Sequence, residues 1–212
     1  MRTQVHTCYK VGGKRVPSVT TVLNILAKPA LIHWAWDCGC KGLDYRKVRD
    51  DKAEIGTLVH YWILCDLKGE KPDFSDHSKA QIDQAETCML KFWDWKKQHN
   101  PRPILIEEPL ISEIHKYGGT IDLFAEVGDH RCLIDFKTSK AIYSEMVYQL
   151  AAYESLLFEN LYLPTQTMIL RIGRDEEEGF EERIYGKLDT AEDLFLHALA
   201  VYNLQKELKG ER

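Results

Sequence analysis

Two periodicities divide this chain near residue 100. Before it, apolar residues recur every three or four positions, the spacing that lines one face of a helix. Pro17 followed by Ser18 predicts a turn and a short helix capped by the Ser18 hydroxyl. Helical spacing continues over 31–49. A second helix over 51–67 sets Ile55, Val59, Trp62 and Ile63 on one apolar stripe and stops at Gly69. A third, over 78–98, carries Ile82, Ala85, Met89, Phe92 and Trp93 at the same spacing, which marks these aromatics as core rather than ligand contacts.

After Pro101 and Pro103 the pattern changes to short runs of β-branched and apolar residues separated by turn residues. Runs at 104–112, 118–127 and 131–136 predict three successive strands in an antiparallel meander. Lys116-Tyr117-Gly118 and Gly128-Asp129-His130 are the expected turns. Helical spacing returns over 143–159, with Met146, Leu150, Tyr153 and Leu157 on one side. Strands at 165–172 and 180–186 and a helix at 191–208 complete the chain. The fold class expected is α/β, a mixed central sheet flanked by helices and preceded by a helical portion.

Length and composition fit one domain over 1–212, with a helical portion at 1–100 and a mixed-sheet core at 101–212. No apolar run approaches the roughly 18 residues that span a bilayer. The opening Met1-Arg2-Thr3-Gln4-Val5-His6 has no apolar stretch after its charge, so a cytoplasmic protein without membrane attachment is expected. Six scattered cysteines are expected to stay reduced. Cys65 and Cys88 fall on apolar helical faces, and Cys38-Gly39-Cys40 is the one close pair, with no second pair to make a zinc site. The net charge of −5 hides an asymmetry, since residues 1–60 carry +5 and the rest −10. Lys41, Arg46, Lys47, Arg49 and Lys52 make either a solvated helix face or a surface for phosphates.

The chemistry concentrates at two neighbouring strands. One holds Gly119-Thr120-Ile121-Asp122 and the next Leu133-Ile134-Asp135-Phe136-Lys137. Asp135 and Lys137 are two apart, so a strand points both to the face that Leu133 shares, while Ile134 and Phe136 point to the other. A carboxylate and an ammonium beside an apolar sheet form either an ion pair or an active site. In a phosphodiesterase the carboxylates of Asp122 and Asp135 and the Phe136 carbonyl would hold a hard divalent cation. Lys137 would stand near the attacking water.

These strands, followed by a helix carrying Gln149-Leu150-Ala151-Ala152-Tyr153, resemble the RecB-like branch of the PD-(D/E)XK nucleases, with its Gln-x-x-x-Tyr helix. The spacing of four puts Gln149 and Tyr153 on one helical face. Gly56-Thr57-Leu58-Val59-His60 is similar to the first motif of that branch, and Pro17-Ser18-Val19-Thr20-Thr21 to an opening common among its phage and bacterial members. Phage-type exonucleases and the mitochondrial genome maintenance exonuclease are the members it resembles most. The resemblance spans 17–159. It implies a restriction-endonuclease-like core and a DNase using Mg²⁺ or Mn²⁺. It further implies that His60 joins Asp122 and Asp135 as metal ligands, with Glu107 or its neighbour Glu108 as an inward acid. Lys137 would activate or orient the nucleophile and Gln149 would position it or the phosphate, while Thr138, Ser139 and Tyr153 would contact the DNA backbone or a base, Tyr153 by stacking. Asp135 stands where many members carry Glu, and its shorter arm still reaches a metal. No cysteine follows Cys132, so no iron-sulfur cluster is expected.

Three functions remain open on this reading. They are an exonuclease acting at DNA ends in phage or bacterial recombination, repair or replication, a structure-specific endonuclease, and a DNA-end-binding module without catalysis. The helical portion with Trp34, Trp36 and its basic residues is a candidate cover over a strand end. Polarity, strand preference and oligomeric state are not written in the sequence.

Overall fold

The computed structural model describes residues 7–210. The segment 1–6, on which the expectation of no secretory signal rests, lies outside the described residues. The first elements are a small hairpin, β1 (Lys10–Val11) and β2 (Lys14–Arg15), turning at Gly12 and Gly13, both at positive φ. Strands of two residues are too short for alternation to show. Helix α1 (Val19–Leu23) begins as expected, with the Ser18 side chain accepting from the Thr21 N–H.

The helix expected over 31–49 is two pieces. Helix α2 (Pro29–Cys40) stops before Gly42, which takes φ +69°, and α3 (Tyr45–Lys68) restarts with the Asp44 carboxylate accepting from the Arg46 N–H. No break occurs at 50–51, where a boundary was expected. Apolar spacing continues on both sides of the turn, so periodicity runs past it. A left-handed glycine and a capping aspartate decide the true boundary. Helix α3 ends at Gly69 as expected, and α4 (Lys79–His99) opens with a Ser78–Gln81 capping box.

Five strands form one sheet in chain order: β3 (Arg102–Ser112), β4 (Tyr117–Val127), β5 (His130–Lys137), β6 (Gln166–Ile172) and β7 (Phe180–Tyr185). The first three make the expected antiparallel meander. Their first turn lies at 113–116, with Lys116 at φ +60°, so Tyr117 and Gly118 already belong to β4. Helix α5 (Ser144–Glu159) carries the chain across to β6, which runs parallel to β5, and β7 returns antiparallel. Helix α6 (Asp189–Leu208) follows.

Helices α1, α5 and α6 cover one face of the sheet, where Val22, Ile121, Leu133, Leu150, Ile169 and Phe195 are buried together. Helices α3 and α4 cover the other over Ile55, Val59, Met89, Phe92, Ile134 and Leu170. Each such side chain contributes roughly 1.5–3 kcal/mol through burial. The helices before residue 100 therefore share both cores with the sheet, and the expected split into a helical portion and a sheet core is one of chain order only. The mixed sheet flanked by helices is the fold class expected. Among the described residues, no helix is long and apolar enough to cross a membrane.

Candidate active site

Strands β4 and β5 pair from Val127↔His130 as far as Leu123↔Ile134 and then part. Past that point β4 pairs with β3, and at Gly118 with the Pro17–Ser18 segment, while β5 pairs with β6. Asp122 sits in the fork. Its Oδ2 accepts from the Phe136 N–H at 2.9 Å, so a side chain does the work a neighbouring strand would otherwise do. The fork also shifts the strand's parity. Ile121 packs in the α5-side core and Leu123 in the α3-side core, although the two are only two residues apart.

Around Asp122 gather four of the residues expected from the sequence. His60 of α3 places Nδ1 3.8 Å from Asp122 Oδ2, and its ring meets Phe136 edge-on at 6.2 Å. Asp135 is 1% exposed. Its Oδ2 lies 2.5 Å from Lys137 Nζ, and its Oδ1 is buried with no hydrogen-bond partner. Glu107 of β3 lines the same cleft at φ +49°, a left-handed backbone that a non-glycine residue adopts at a cost of about 1 kcal/mol or more. Glu108 does not line it. Strand parity alone left the two glutamates open, because the unusual φ at Glu107 is a tertiary feature.

The cleft has a volume of about 750 Å³. Tyr153 forms part of its wall, and its hydroxyl accepts from Gln149 Nε2 at 2.7 Å, so the two helix residues meet as their spacing predicts. The Tyr153 ring lies across Gly119, where a Cβ would stand 2.5 Å from Cε1. The approach of α3 to the end of β5 depends likewise on Gly56, since a Cβ there would stand 2.7 Å from Thr138 Oγ1. Thr138 thus packs beneath the histidine helix, and Ser139 donates to the Ala141 carbonyl within its own turn. Neither lines the cleft. Sequence reasoning passed over Tyr9, Thr120 and the wall that Ser18 and Thr20 form. Tyr9 OH lies 2.6 Å from Thr120 Oγ1, a contact across 111 positions that no local pattern announces.

The electrostatics are those of charge held away from water. Burial, reinforced by the Asp122 charge, pushes the Asp135 carboxyl up to about 6 against the pull of Lys137. Burial raises Asp122 as well, opposed by Lys137 and the Phe136 N–H. His60 falls to about 4 through burial and the Lys137 ammonium, with Asp135, the Phe136 backbone and Glu107 acting in the opposite sense. The imidazole is therefore neutral near pH 7, the form that can donate a lone pair to a metal. Among the described residues, no three His, Cys, Asp or Glu groups are already drawn into a set of metal ligands. Two carboxylates, a neutral imidazole and an unpartnered buried oxygen nonetheless match a hard divalent cation in donor type. Cys38 is buried and Cys40 exposed, so that pair does not converge, and Cys65 and Cys88 pack in the interior as expected.

No family model matches this chain, and no curated protein matches it. One solved structure that it resembles is that of a candidate exonuclease from Eubacterium rectale, with a TM-score of 0.52 and 14% sequence identity. The alignment covers 74% of this chain and 69% of the other. At that identity the likeness is one of fold.

Proposed function

We propose that the chain is a metal-dependent deoxyribonuclease of the PD-(D/E)XK type, in the RecB-like branch, that hydrolyses phosphodiester bonds from DNA ends. One observation carries this reading: a buried carboxylate, Asp135, keeps one oxygen unpartnered and the other against Lys137, where two strands part beside Asp122 and His60. Leaving a buried carboxylate oxygen unmatched costs free energy, which a protein tolerates where the group has a task. The sharing of a fold with a candidate exonuclease points the same way.

His60, Asp122, Asp135 and the Phe136 carbonyl are the groups that would hold Mg²⁺ or Mn²⁺, and Glu107 on the cleft wall would assist a second ion. Such an ion supplies Lewis acidity toward the scissile phosphate and lowers the pKa of a bound water. Lys137 brings a positive charge to the place where negative charge grows during attack, and orients the water. The Phe136 N–H holds Asp122 in place. Gln149 fixes the Tyr153 hydroxyl, and the Tyr153 ring presents a flat wall to the nucleic acid. The setting proposed is the cytoplasm of a bacterial or phage-infected cell, in recombination, repair or replication.

The test is digestion of 5′-labelled, 3′-labelled and circular DNA, single- and double-stranded, with Mg²⁺, Mn²⁺ or EDTA. Metal-dependent shortening of linear DNA with circles spared is the expected result. Cleavage of circles would turn the reading to an endonuclease. If no divalent metal supports cleavage, an end-binding module replaces it.

A further inference from the structure

The cleft is lined by two kinds of polar group. His60, Glu107 and Asp122 form the ionisable set, while Thr7, Tyr9, Ser18, Thr20 and Thr120 carry neutral hydroxyls. Among the described residues, no lysine or arginine lines it. The hydroxyls come from segments far apart in the chain, the stretch 7–20 and strand β4, which backbone contacts join. The Gly118 N–H donates to the Pro17 carbonyl at 3.0 Å, and Ser18 bridges to Gly118. The Val16 N–H closes the small hairpin on the Tyr9 carbonyl at 3.0 Å. The Tyr9 ring lies on Gly118, where a Cβ would stand 2.3 Å from Cδ1. The segment is thus fastened to β4 without help from the Tyr9 hydroxyl.

That hydroxyl lies 2.6 Å from Thr120 Oγ1, and Thr7 is a second hydrogen-bonding neighbour. Burial raises the Tyr9 pKa above its ordinary value, against the effect of those two bonds, so the group stays protonated near pH 7. Three hydroxyls joined by two hydrogen bonds own three hydrogens and use two, which leaves one O–H to donate to a ligand. Ile121 is buried in the α5-side core, so its strand neighbours Thr120 and Asp122 point the other way. Two residues of strand separate them by about 6.6 Å. Stacked nucleic acid advances about 3.4 Å per nucleotide along each strand, and an unstacked strand advances further, so the spacing suits consecutive phosphates of an unstacked strand.

We propose that Tyr9 and Thr120 form a seat for the phosphate next to the scissile one, held by neutral hydroxyl donation while the groups around Asp122 take the scissile phosphate itself. The seat rests on the nuclease reading for what occupies it. Hydroxyls release no counterions when they meet a phosphate, so the seat adds affinity without adding salt dependence. A strand with two phosphates is the smallest ligand that fills both places.

The experiment has a binding arm and a hydrolysis arm. Binding of a labelled single-stranded 10-mer is measured by fluorescence anisotropy with Mg²⁺ at several salt concentrations, in a Lys137→Ala background that slows cleavage. There Y9F/T120V is expected to weaken binding about tenfold, the loss of a hydrogen bond to a charged group, with the salt slope unchanged. Each single change should cost less, because the hydroxyl left behind still has a hydrogen to give, and Thr120→Ser should bind as wild type. Hydrolysis with Lys137 restored is followed on a thymidine dinucleotide, which has one phosphate, and on a trinucleotide, which has two. Y9F/T120V should raise KM about tenfold on the trinucleotide with kcat kept, and should leave the dinucleotide unaffected. A cleft that had merely lost its shape would handle both substrates worse. Wild-type affinity in Y9F/T120V would overturn the seat, as would equal losses on the two substrates or a salt slope that falls with the affinity. If no DNA is hydrolysed with Mg²⁺ or Mn²⁺ while the variant loses affinity as stated, the nuclease reading fails and the seat stands. If DNA is hydrolysed and the variant binds and cuts like wild type, the seat alone fails.

Discussion

Asp135 with Lys137 and Glu178 with Arg174 are both carboxylates set beside a cation in partly or fully buried surroundings, and they titrate in opposite directions. Glu178, in the turn between β6 and β7, accepts from the Arg174 backbone N–H at 2.9 Å, from Nε at 2.9 Å and from Nη2 at 2.7 Å. Burial pushes Glu178 up, but these bonds and the Arg174 charge outweigh it and leave the carboxyl below its usual range. Asp135 has a single ammonium against one oxygen and nothing on the other, and burial carries it up to about 6. The first pair is saturated and completes a turn; the second is left short of partners beside a cleft. The same two charge types thus separate a structural ion pair from a candidate reactive one by the count of hydrogen bonds.

Breaking each pair should separate their roles. The largest effect is expected for Lys137→Ala, which should lower the rate of DNA hydrolysis by about 10²–10⁴-fold, the usual contribution of a positioned proton-transfer or charge-stabilising group, with the protein still folded by circular dichroism. Digestion at the wild-type rate would return Asp135 and Lys137 to the status of an ordinary ion pair. Next in size, Arg174→Ala should cost about 1–3 kcal/mol of stability by removing charged hydrogen bonds, measured by denaturant titration, while hydrolysis per folded molecule is unchanged. Because the folded carboxyl of Glu178 lies below its ordinary value, its contribution is present above the usual glutamate range and lost as pH falls. Arg174→Ala should therefore flatten the acid limb of the stability profile.

The smallest effect concerns a third carboxylate. Glu154 on α5 is half-buried with Glu192 and Asp189 nearby, and burial followed by those two charges raises it to about 7. Its acid form is favoured in the folded chain, so its stability contribution is full below the ordinary glutamate range and fades as pH rises through about 7. Glu154→Gln should flatten that decline and melt slightly higher than wild type at pH 8, with no change in hydrolysis. A steeper decline in the variant would contradict the assignment. Glu154 lines no part of the cleft, which shows that a raised pKa by itself does not mark a reactive group.

Much of this was legible in the chain. Period-two runs gave the strands, the Gly-Thr-Ile-Asp and Asp-Phe-Lys segments fell on neighbouring strands, and Gln149 and Tyr153 faced one another as a spacing of four requires. Local hydrogen bonding and side-chain parity fix these features, and both are functions of nearby residues. The break between α2 and α3 was missed because apolar spacing survives across Gly42, and the hairpin at 10–15 was too short to show alternation.

What the sequence by itself determined was the menu: two strand acids, a lysine two residues on, a helical histidine and a mixed sheet to carry them. Only the tertiary structure decided that β4 and β5 part at Asp122, that Glu107 and not Glu108 enters the cleft, and that Tyr9 closes against Thr120. It alone decided that Asp135 keeps an oxygen without a partner. Whether a carboxylate is saturated depends on donors brought in from distant parts of the chain. That number is set by packing, which a reading of neighbouring residues does not contain.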